Sequence, residues 1–144
     1  MSVLSSCLEN LRTQLLPLLE DGSFREVEMR LSVAHECKAA PALHIIPGDE
    51  SAAEEDTCGY TMTRQILLKV IFGTTRDPFC RAAELVAFVQ AALEKDETLG
   101  GKAIRCTYRG EQPFITDATS PQEGTFVQYE LVYRRKTARP DLQY

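Results

Sequence analysis

With only two histidines in 144 residues, imidazole chemistry has to gather around His35 or His44. His35 and Cys37 stand two apart, on one face of any strand they occupy, with His44 and Cys58 further along. These residues lack the short paired spacing, such as Cys-x-x-Cys, from which structural zinc sites are built, so no metal site is expected. A nucleophilic cysteine needs a base within hydrogen-bond reach, and any Cys/His pair must include one of the two histidines. Cys7 and Cys80 instead fall in helical patterns and Cys106 in a strand, where free cysteine behaves as a small apolar side chain. The run Glu54-Glu55-Asp56 supplies neighbouring carboxylates, but in a solvated stretch nothing perturbs their proton affinities. Gly100-Gly101 follows a helix and does not precede one, the wrong order for cradling a phosphate. Tyr108, Phe114, Phe126, Tyr129 and Tyr133 come near strand spacing in an acidic chain, which favours core and interface over stacking on single-stranded nucleic acid. The expectation is a protein that is not an enzyme and holds no cofactor.

Composition sets the same tone. The chain is 44% hydrophobic and 26% charged, with no apolar run near the ~20 residues that a membrane helix requires. Leu4-Ser5-Ser6-Cys7 has the form of a lipoprotein cleavage box, yet only three residues precede it, so it reads as the start of a helix. Five scattered cysteines do not make a disulfide framework, and reduced thiols in a cytosol are expected. A net charge of -5 argues against nonspecific binding to nucleic acid. That charge is unevenly spread. Asp49, Glu50, Glu54, Glu55 and Asp56 crowd the middle, while Arg134, Arg135, Lys136 and Arg139 lie near the C-terminus. Two patches of opposite sign suit head-to-tail self-association; each is equally compatible with a solvated loop or tail.

The elements that must position these residues follow from periodicity. Leu4, Leu8, Leu11, Leu15 and Leu18 recur at spacings of four and three, which predicts an amphipathic helix from about residue 3 to 19, capped by Ser2, weakened by Pro17 and stopped at Asp21-Gly22-Ser23. Val27, Met29, Leu31 and Val33 alternate with polar residues and predict a strand. Ala42 to Ile46, closed by Pro47-Gly48, reads as a shorter strand at an edge. Gly48 to Thr61 has no period that buries a face and reads as a long acidic loop. Ile66, Leu68, Val70 and Phe72 form a strand whose other face, with Leu67 and Ile71, is also partly apolar. That second face should meet a neighbouring subunit or a second layer of the same domain. Asp77-Pro78 opens a helix to about Lys95 through Ala82, Leu85, Val86, Val89 and Leu93. A strand near Ala103 to Tyr108, a turn-rich stretch from Gly110 to Gly124, and a strand through Val127, Tyr129, Leu131 and Tyr133 complete the chain.

The predicted fold is α+β: a mainly antiparallel sheet of four to five strands with two helices on one face, in the order helix, three strands, helix, two strands. It is one domain over residues 1–136 containing the acidic loop 48–61, followed by a C-terminal tail over 137–144. The opening helix, the strand Val27 to Val33, the segment Pro41 to Glu50, the strand Ile66 to Phe72, the helix Asp77 to Asp96 and the closing strand Val127 to Arg135 together give a pattern that resembles the tail terminator proteins of long-tailed bacteriophages. The resemblance is one of order and covers nearly the whole chain. It implies the family's long hairpin among the strands. It also implies a virion protein assembled in the host cytoplasm: a ring, six-fold in that family, that caps the last ring of the tail tube, ends its growth and offers a joining surface to the head connector or neck protein. In contractile tails such a ring also meets the sheath. On that reading residues 48–61, with Glu54, Glu55 and Asp56, reach a neighbour or line a lumen through which DNA slides without sequence-specific contact. Leu67 and Ile71 lie under a subunit contact, and Arg134, Arg135, Lys136 and Arg139 meet an acidic surface. The same plan is shared by other ring-forming neck and tail-tube proteins. A reading from a different class is a small cytosolic thiol-dependent enzyme or ligand-binding domain.

Overall fold

The computed structural model of the chain describes residues 2–31, 39–56, 59–73, 77–115 and 123–135. Helix α1 (Val3–Leu15) starts where the Ser2 side chain accepts a hydrogen bond from the Ser5 N–H at 3.1 Å. Pro17, lacking an N–H, ends that helix and becomes the first residue of a single further turn, α2 (Pro17–Glu20). Leu11, Leu15 and Leu18 are buried while Leu4 and Leu8 are half-buried, so the leucine stripe faces the core along its C-terminal half. Gly22 takes a left-handed φ of 84° and turns the chain into β1 (Glu26–Met29). Strands β2 (Ala42–Asp56) and β3 (Gly59–Gly73) follow, then α3 (Pro78–Glu94), β4 (Arg105–Ile115) and β5 (Glu123–Arg135). Asp77 caps α3 by accepting from the Cys80 N–H at 3.1 Å, with Pro78 in the first turn as the sequence implied.

The fold is α+β, with helices on one face of a five-stranded sheet in the order β1-β2-β3-β5-β4. All pairings are antiparallel except β1 with β2, which run parallel over Glu26–Met29 and Ala42–Ile45. The core lies between the sheet and the helices. Val27, Leu43, Ile45, Ile66, Leu68, Val70, Val127 and Leu131 meet Leu11, Leu15, Leu85, Val89 and Leu93 there. Each such aliphatic side chain contributes roughly 1.5–3 kcal/mol by leaving water.

Three expectations are corrected. Residues 48–61 are not a long loop: where described, they complete β2 and open β3 in an antiparallel hairpin, as the family resemblance implied and composition did not. The register shifts between Pro47 and Glu50 and again between Ala52 and Glu54, and two bulges in one strand erase the alternation that would have marked it. The segment from Ala42 is accordingly neither short nor an edge. The edge strand on that side of the sheet is β1, which ends at Met29; residues 32–38 lie outside the described residues. Third, the turn-rich stretch from Gly110 is strand as far as Ile115. Gly110 (φ 142°) takes up a register shift, and Pro113 is tolerated because β4 is an edge.

Candidate assembly interface

Strands β2, β3 and β5 outrun their neighbours. β1 covers β2 only as far as Ile45, and β4 covers β5 only as far as Val132. Beyond those points β2 from Ile46, the part of β3 paired with it and the last three residues of β5, Tyr133, Arg134 and Arg135, form an arm whose two outer edges carry no strand partner among the described residues. Register fixes what stands on each edge. Glu54 pairs with Thr61, which pairs with Arg134; Glu55 pairs with Tyr60, which pairs with Arg135. One rung of the ladder thus runs from an acid on the β2 edge to an arginine on the β5 edge, and the next rung repeats it. At the usual strand spacing the two edges lie about 10 Å apart. Acidic residues along an open strand edge also discourage like-edge pairing.

The basic edge is held in place by its rungs. Arg134 Nη1 donates to Thr61 Oγ1 at 3.1 Å, and the Arg135 guanidinium lies 6.0 Å from the Tyr60 ring centre. Glu50 organises the base of the arm: its Oε2 is 3.9 Å from both Arg64 and Arg135, and its Oε1 accepts from the Tyr133 hydroxyl. These groups are a quarter to a third exposed, so the ion pairs position side chains more than they stabilise the fold. Tyr133 is 1% exposed and links this cluster to the core.

The groups named for chemistry are placed as follows. His44 is fully buried on the sheet face away from the helices, with Nε2 hydrogen-bonded to Glu26 Oε2. His35, Cys37 and Cys58 lie outside the described residues. Burial pushes the Cys7 thiol up to about 11 and that of Cys106 up to about 12, and hydrogen bonding to Asp77 raises Cys80. None of these three thiols is a thiolate at neutral pH, the form a nucleophile requires. In the folded protein at pH 7.5, iodoacetamide should therefore label Cys7 and Cys106 at least about a hundredfold more slowly than in the unfolded chain. Peptide mass spectrometry over a time course reads this, and rapid labelling of either buried thiol in the folded state would contradict it.

Of the residues assigned to an interface from sequence, Glu54, Glu55 and Asp56 fall on the β2 edge and Arg134 and Arg135 on the β5 edge. Lys136 and Arg139 lie outside the described residues. Ile71 is 0% exposed within the single chain and Leu67 is half-buried. Their face is closed by the chain itself, where Phe114 stacks on Phe126 at 4.6 Å and Lys69 Nζ sits 5.3 Å over the Phe114 ring. Glu50 was visible from sequence only as part of an acidic run. Tyr60, Arg64 and Tyr133 were not singled out for the arm, because only the register across β3 brings them to it.

No protein-family model matches the sequence, and no curated protein matches it. Among solved structures, the chain is similar to one described as the virion of a native gene transfer agent particle. The identity is 12% and the TM-score 0.44, over 85% of this chain and 91% of that one.

Proposed function

We propose that the protein is a structural component of a virion that works by self-association into a closed ring, and that the ring is of the tail-terminator kind. It caps the tail tube, ends tube growth and presents a surface to the head connector or neck protein. The carrying observation is the arm, with Glu54 and Glu55 on one open edge and Arg134 and Arg135 on the other, on the same rungs. A contact in which the acidic edge of one copy meets the basic edge of the next is heterologous. Such contacts generate a ring when their rotation closes and a filament when it does not. Strand pairing between the two edges supplies main-chain hydrogen bonds, and the opposed charges select one edge over the other.

The order of elements is compatible with the terminator reading and is shared by other neck and tail-tube proteins. The raised thiols of Cys7, Cys80 and Cys106 make these three poor candidates for the nucleophile of a thiol-dependent enzyme. Negative-stain electron microscopy of the protein, alone and mixed with purified tail tubes, tests the proposal. Closed rings, and rings seated on tube ends that stop further tube growth, are expected. A persistent monomer that leaves tube length unchanged would defeat it.

A further inference from the structure

We propose that Glu26, Glu28 and His44 form a binding site for one divalent transition-metal ion of the zinc class, which fastens the edge strand β1 to β2. Alternation along β1 puts Glu26 and Glu28 on the sheet face away from the helices, because Val27 and Met29 turn to the core. Parallel pairing sets Glu28 opposite His44 and Glu26 one step back, opposite Ala42. One ligand atom from each of the three residues then lies within 4.8 Å of the other two. Small torsional adjustments bring such a set to the roughly 2.0–2.2 Å at which a zinc-class ion holds imidazole nitrogen and carboxylate oxygen.

The site is half enclosed. His44 is 0% and Glu26 6% exposed, while Glu28 is half-buried, so the site has a closed floor and one side open to water. His44 presents Nε2 to Glu26, the nitrogen that would ligate, while its Nδ1 is buried without a hydrogen-bond partner. Two cations stand nearby. Arg30 engages Glu28 through Oε2, which leaves Oε1 for an ion. Lys69 is the cross-strand neighbour of His44, with its ammonium 5.3 Å over the Phe114 ring. One nitrogen and two carboxylate donors favour zinc, cobalt or manganese over magnesium and calcium, which take oxygen donors throughout. The chemistry differs from the cysteine-paired site that the sequence excluded. Its consequence is structural, because β1 joins the sheet through only four residue pairs.

Cobalt(II) is the probe, titrated into the full chain and read by visible absorption and thermal unfolding. One equivalent is expected to bind, giving a ligand-field spectrum without a sulfur charge-transfer band. At a hundredfold excess over the dissociation constant the midpoint of unfolding rises by about 8 °C. Glu28→Gln, at a half-exposed position that tolerates the change, weakens binding at least about tenfold and loses the rise. No saturable binding, a sulfur charge-transfer band, or unchanged affinity in Glu28→Gln would each overturn the proposal.

Discussion

Arg134→Glu combined with Arg135→Glu is expected to lower self-association at least about a hundredfold while leaving a folded monomer. The reversal places acid against acid at every edge contact, and a few kcal/mol of lost complementarity corresponds to that factor. Inside the monomer the losses include the Arg134 hydrogen bond to Thr61, the long Arg135 ion pair to Glu50 and the Arg135 contact with the Tyr60 ring, interactions of partly exposed groups that contribute little each. Sedimentation velocity measures the assembly and circular dichroism the fold. Raising salt should weaken the wild type in the same direction, since charges at open edges are screened. Assembly equal to wild type would remove the basic edge from the contact.

Gly124→Ala should be strongly destabilising. A Cβ at that position would stand 2.2 Å from the Val70 carbonyl oxygen and 2.6 Å from Phe114 Cζ. The carbonyl belongs to the β3 backbone in the β3–β5 pairing, where Ile71 faces Gly124, so it cannot retreat without opening that pairing. A loss of about 3 kcal/mol or more follows, a fall of roughly 10 °C in the unfolding midpoint. Gly101→Ala is the control. Its Cβ would meet nothing within 4 Å, and only the left-handed φ of 79° opposes it, at a cost of about 1 kcal/mol. Equal effects of the two variants in denaturant unfolding would show that the close approach at Gly124 is relieved by other means.

Why some of this was legible in the sequence and some was not follows from the range of the interactions. Clean local periods exposed α1 through Leu11 and Leu15, α3 through Leu85, Val86, Val89 and Leu93, and β5 through Val127, Tyr129, Leu131 and Tyr133, all buried as expected. The distal half of β2 was hidden because two bulges break its phase and its acidic, small residues have low strand propensity. Pairing with β3 overrides that propensity. The far end of β4 was hidden by Gly110 and Pro113, residues that ordinarily signal turns.

The two charged patches could be named from sequence, but not their alignment. That depends on Glu54 reaching Arg134 through Thr61, and Glu55 reaching Arg135 through Tyr60, a registration that no local pattern encodes. The Glu26, Glu28 and His44 cluster depends likewise on β1 and β2 pairing in parallel, a direction that alternation does not specify. Ile71 shows the opposite limit: an apolar second face is visible in sequence, while what covers it is not.

The central claim is that the acidic edge of one copy binds the basic edge of the next. It is tested most directly by mixing two charge-reversed proteins, Glu54→Lys/Glu55→Lys/Asp56→Lys and Arg134→Glu/Arg135→Glu, and measuring ring mass by light scattering. Each protein alone should remain unassembled, because one edge of every contact has the wrong sign. The equimolar mixture should restore rings in which the two alternate, since every contact then joins opposite charges. Rings formed by either variant alone, or a mixture that stays monomeric, would contradict the account.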